Sequence, residues 1–97
     1  MYEGLTKTYL HRLEEIAPVT AQYIEQIYAH FDAKIAFQAV FSLFLAEKHY
    51  QRFHCLPNAL FLISLDEMPL SDQQWMFQVL ENAKRSFSEE MGALSLT

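Results

Sequence analysis

Four histidines and one cysteine are the side chains of this sequence best suited to hold a metal or drive a reaction. Zinc needs three or four converging ligands, usually seeded by close pairs such as CxxC or HxxxH. Neither pair occurs. His49 and His54 stand about 140° apart around an ideal helix and cannot share an ion while that helix continues. His11 and Glu15 have the spacing of a surface charge pair. Cys55 directly follows His54, but a thiol nucleophile needs a base that reaches it and a group that orients the base. Adjacent residues do not supply that geometry, and a free cysteine at a helix end reads as a small hydrophobe. The expectation is a protein that is not an enzyme, with no catalytic residue, metal or cofactor.

His30 differs from the other histidines. Wound as a helix, it falls at the angle of Val19 and Tyr23, which aims it at the core or its edge. With Tyr23 and Tyr28 near in sequence it could line a pocket and titrate near neutral pH. The commoner role is a core histidine bonded to a carbonyl or a tyrosine hydroxyl. Lys48, His49, Arg52 and His54 gather over two turns, where cations complement the negative end of a helix and anions are repelled. They mark a helix end rather than a phosphate site. Lys84 and Arg85 stand among Glu81, Glu89 and Glu90, the mixture of a solvated face. A nucleic-acid reader shows a more basic surface.

The element that must position these groups is the most apolar run of the chain, residues 35–45. As a helix, it presents Phe37, Phe41 and Phe44 on one side. Ile35, Ala36, Ala39, Leu43, Ala46 and Tyr50 lie on the far side, and Gln38, Ser42 and His49 form a polar seam between. Apolar residues at every odd position also fit the period of a strand. The flanks decide for helix: no Gly or Pro occurs from residue 19 to 56, and helix formers follow the run directly. A helix apolar on two faces must be covered on both, by the rest of the domain or by a second molecule. Eleven residues are too few for a membrane span, which takes roughly 20.

Around this helix the periodicity predicts three others. Tyr2, Leu5, Tyr9, Leu13 and Ile16 make one stripe. Pro18 then opens a second helix striped by Val19, Tyr23, Ile24, Ile27, Tyr28 and Phe31, and Asp32 is placed to cap the central one. Residues 57–65 read as a short helix begun at Pro57, with a buried strand as the alternative. Ser71 and Gln74 fit a capping box, and Trp75, Met76, Val79, Leu80, Ala83, Phe87 and Met91 form the clearest stripe. Gly92 is the expected stop, with a frayed tail after it.

The fold class is therefore all-α: one domain over residues 1–97, a small bundle of four to five helices with a central apolar helix at about 33–54. Hydrophobic residues make up 52% of the 97 residues and aromatics 14%. That is rich for so small a domain and points to apolar surface kept for an interface. A net charge of −5 opposes attraction to nucleic acid or anionic membranes. A single cysteine requires no oxidising compartment, the N-terminus lacks a secretory pattern, and a cytoplasmic location is expected.

The expected function is a protein–protein interaction or regulatory role exercised through an apolar helical surface, the partner being a second copy in a homodimer and possibly another protein, with neither nucleic acid nor membrane. The alternative is a pocket for a small apolar or aromatic ligand between the central and C-terminal helices. In either case the candidate residues are Phe37, Phe41, Phe44, Gln38, Ser42, His30, Trp75 and Met76.

Overall fold

Pro18, Asp32 and Pro69 stand where three of the helices begin. Pro18 occupies the first turn of its helix, where a missing N–H costs no hydrogen bond. The Asp32 carboxylate accepts from the Ile35 N–H at 3.0 Å, the N-cap expected of it. Pro69 precedes the last helix, its carbonyl taking the Gln73 N–H at 3.0 Å. The computed structural model describes residues 2–61 and 63–95, and every regular element among them is an α-helix: α1 (Tyr2–Ile16), α2 (Pro18–His30), α3 (Ala33–Phe53) and α4 (Leu70–Ser95).

Side-chain contacts fix the helix directions. The Thr6 hydroxyl of α1 donates to the Ala33 carbonyl at 2.9 Å, so the starts of α1 and α3 lie together and these helices run parallel. Thr20, at the start of α2, meets Ser86 and Glu90 near the end of α4, while His30, at the end of α2, stacks on Trp75 near the start of α4. Helix α2 is therefore antiparallel to α4 and, through Tyr28 and Glu3, to α1. It packs against all three other helices, whereas α3 packs along α1 and α2 and hardly touches α4. The last helix, expected against the 33–53 helix, lies instead on α2.

The gap between α3 and α4 is taken up by the connection from His54 to Pro69. Leu56 to Asn58 lie beside Glu81 to Glu89 of α4, and Ser64 to Met68 lie beside the start of α3. The connection thus returns the chain to the level from which α4 departs. Residues 57–61 and 63–65 are neither helix nor strand, which corrects the short helix expected there; Leu62 lies outside the described residues. Leu60 is pushed into the core while Ala59 and Ser64 are exposed. This segment is held by burial of alternate apolar side chains, not by a repeating backbone ladder.

One core joins the four helices, with Leu13, Ile24, Ile27, Leu43, Met76 and Phe87 fully buried. The α4 stripe is close to its expected place. On α1, by contrast, the buried line is Thr6, Leu10 and Leu13, and Tyr2 and Leu5 stay exposed. The line is rotated because α1 has two neighbours, α2 and α3, and its most buried residues face the cleft between them. At α4 the expected capping box does not form: the helix begins two residues early, Ser71 falls inside its first turn, and the Gln73 amide reaches back to the Met68 carbonyl at 2.9 Å. Gly92 does not stop α4, which continues to Ser95. Leu96 and Thr97, in the expected frayed tail, lie outside the described residues.

Candidate interaction face

The parallel pairing of α1 and α3 places the phenylalanine side of α3 against the tyrosines of α1. The ring of Phe37 meets Tyr2 at 5.6 Å and Tyr9 at 5.8 Å between centroids, and stacks on Phe41 at 5.7 Å. Tyr9 also meets Phe44 at 5.2 Å. Tilted contacts of this kind match the positive ring edge to the negative ring face. They join five rings into one band across both helices. Its inner member, Phe44, is buried, with the Arg12 guanidinium 5.4 Å from its centroid. Its outer members are open, Tyr2 at 41% and Phe41 at 42% exposed, flanked by Leu5 at 41% and Leu45 at 53%.

Beside this band lies a hollow of about 250 Å³, with Tyr9, Phe41, Phe44 and Leu45 as its apolar wall and Arg12, Lys48, Glu47 and Gln51 around them. A wider hollow of about 500 Å³ opens on the outer side of α4, between Leu65 of the connection and Leu70, Phe77 and the amides of Gln74, Gln78 and Asn82. The two are on opposite sides of the α2 layer.

The other residues singled out in the sequence fall in different places. Ser42 donates its hydroxyl to the Gln38 carbonyl one turn back at 2.8 Å, a local bond that leaves both half-buried. The Gln38 side chain borders a separate hollow with Asp32 and Met68. Met76 is wholly buried in the core and lines no surface. His30, expected toward the core, is exposed, because it is the last residue of α2 and projects beyond the packed layer. One face of its imidazole lies on the Trp75 indole, 4.4 Å between centroids and 11° between planes, and Phe31 meets the same indole at 5.7 Å. His30 and Trp75 therefore form a lid over the α2–α4 end and do not share a cavity with the phenylalanine band. Between α3 and α4 the hollow that forms is a small one of about 190 Å³ at their C-terminal ends, bordered by Glu47, Tyr50, Gln51, Met91 and Leu94, and none of the residues named for a pocket there borders it.

At the end of α3, His49 donates its Nδ1–H to the Cys55 carbonyl at 2.8 Å, and His54 takes a left-handed conformation, φ 60°, as the C-cap. His49 and His54 of the basic cluster thus serve helix termination, while Lys48 borders the α1/α3 hollow. Cys55 is a free, exposed thiol. Among the described residues no three His, Cys, Asp or Glu side chains converge as metal ligands, and no helix is long and apolar enough to cross a membrane.

A polar cluster that sequence reading passed over sits under α2. The Glu90 carboxylate accepts from the Val19 and Thr20 N–H groups at 3.1 and 2.9 Å and from the Thr20 hydroxyl at 2.6 Å. Thr20 and Ser86 share a further hydroxyl contact of 2.8 Å. Ala17, the N-cap of α2, has no side chain to offer, so the orphan donors of that helix are met by a carboxylate from α4. No family model, curated protein or solved structure matches this chain.

Proposed function

We propose that this chain is a small non-enzymatic interaction protein, of a regulatory or adaptor kind and cytoplasmic, that works by pairing its α1/α3 face with a second copy of itself. The supporting observation is the continuous band Tyr2, Phe37, Phe41 and Tyr9, with Leu5 and Leu45 beside it, at the surface of two parallel helices. Scattered exposed apolar side chains need no explanation, but a contiguous band of them marks a contact surface. Aromatic rings are also the side chains that dominate such contacts. A pairing of like faces about a two-fold axis needs only one self-complementary patch. A bundle that lends one face of α3 to a partner also accounts for a helix apolar on two sides. With a net charge of −5, the pairing rests on apolar contact in spite of mutual repulsion.

Replacing Phe41 by Asp tests this. The Phe41→Asp chain should sediment as a monomer at concentrations where the parent is a dimer, while Phe77→Asp on the outer side of α4 leaves the dimer intact. Equal loss in both variants, or in neither, contradicts the assignment of the face.

A further inference from the structure

The hollow beside the aromatic band has an electrostatic character opposite to that of the chain. Arg12 from α1 and Lys48 from α3 both border it. Among the described residues neither has a carboxylate within ion-pair reach; the ion pairs are Lys7 with Glu3 and His11 with Glu14 and Glu15. The one carboxylate at the rim, Glu47, accepts from the Gln51 amide at 3.2 Å along its own helix. The exposed Arg12 guanidinium lies over the Phe44 ring, 5.4 Å from its centroid, a cation–π contact that leaves N–H groups able to donate. An apolar wall of Tyr9, Phe41 and Leu45, beside two cations that form no ion pair and outnumber the single rim carboxylate, is a chemistry that matches an aromatic ring carrying an acid group. The ring would continue the stack of Phe37 and Phe41, and the acid would take Arg12 in a two-point bond.

We infer that this hollow is a binding site for a small aromatic carboxylate, its ring against Tyr9, Phe41 and Leu45 and its carboxylate between Arg12 and Lys48. A volume of about 250 Å³ suits an occupant of one or two fused rings. A neutral aromatic of the same shape would gain the wall but not the cations, so the site discriminates by charge. The hollow shares Phe41 and Leu45 with the face proposed to pair, so a second copy and the acid compete for it; self-association is read from mass at high concentration and occupancy from the residues that border the hollow at low concentration, and the two readings fail separately.

Two isosteric probes test it, 2-naphthoate and the neutral 2-acetylnaphthalene, each titrated into the isotopically labelled full chain and followed by two-dimensional NMR. The expected result is saturable shifts centred on Arg12, Phe41 and Lys48 with naphthoate. The double variant Arg12→Gln, Lys48→Gln should weaken naphthoate about tenfold while leaving acetylnaphthalene unchanged. Both side chains are exposed, and a matching circular-dichroism melt shows that the variant is folded. Shifts centred on Leu70 and Phe77 overturn the assignment, as does equal binding of the two probes or an unaltered naphthoate affinity in the double variant.

Discussion

Glu90 shows most sharply what single residues contribute. Its carboxylate takes two N–H groups at the start of α2 and the Thr20 hydroxyl, acting as an N-cap supplied from α4. Loss of an N-cap costs about 0.5–2 kcal/mol, and the buried Thr20 hydroxyl would lose a partner as well. Glu90→Ala should therefore lower stability by about 1–3 kcal/mol in urea unfolding. Combined with Thr20→Val it should cost less than the sum of the two, because both act in one network. Sequence reading placed Glu90 on a solvated face, since nothing local links it to a helix start seventy positions earlier. The Asp32 cap was legible because donor and acceptor are three residues apart.

Glu25 supplies a pH dependence. A hydrogen bond with Glu14, then burial, then the Glu14 charge all raise its carboxyl above the ordinary carboxylate value. A raised folded value means that the folded state holds the proton more tightly than the unfolded chain does. The benefit is present at acid pH and is lost as pH climbs from the unfolded value through the folded one. Glu25→Gln removes this loss. Its stability relative to the parent should therefore rise as pH climbs from the unfolded carboxylate value through the raised folded one, read as the shift in urea midpoint; a constant offset through that climb would contradict the coupling.

Among the elements, α2 and the 54–69 connection explain most of the difference between expectation and structure. Periodicity showed the four long helices and placed α3 at about 33–54, close to its observed span Ala33–Phe53, because α3 is long, free of breakers and flanked by helix formers. It could not show which helix touches which. An apolar stripe states that a face is covered and says nothing of the cover. Thus α3, which carries the most apolar run of the chain, is the centre that the sequence suggests, while α2, whose buried residues include Thr20 and Ala21, makes contact with all three others. The connection was the hardest to read, being as apolar as a helix or strand yet neither. Leu60, the buried side chain among its described residues, gives a direct check. Leu60→Ala should cost about 2–5 kcal/mol, as for a core leucine, whereas Ser64→Ala, on the exposed side, should stay within about 0.5 kcal/mol. A small effect at Leu60 would mean that the connection does not wedge α3 and α4 apart.

For the whole molecule the question is where so apolar a composition goes. Four helices bury the core residues of α1 to α4, and the molecule measures 41 × 26 × 19 Å. Phe41, Leu45, Tyr2 and Leu5 nonetheless remain at its surface on one side, and Leu70 and Phe77 on the other. The apolar surplus was legible from composition, and the three phenylalanines of the band were legible from their spacing. The tyrosines that join them were not, since α1 and α3 are brought side by side only by the fold. For the same reason Trp75 and Met76 were grouped with that band although α2 and the connection separate them from it. The α1/α3 face carries the functional account because it is continuous across two elements.

That account is tested most directly by the solution mass of the unmodified chain, taken by sedimentation equilibrium over a hundredfold range of concentration. The pairing of α1/α3 faces predicts a mass that rises to twice 11.4 kDa and no further, since a two-fold contact closes on itself. A mass that stays at 11.4 kDa to the highest concentration would contradict it, as would growth beyond the dimer.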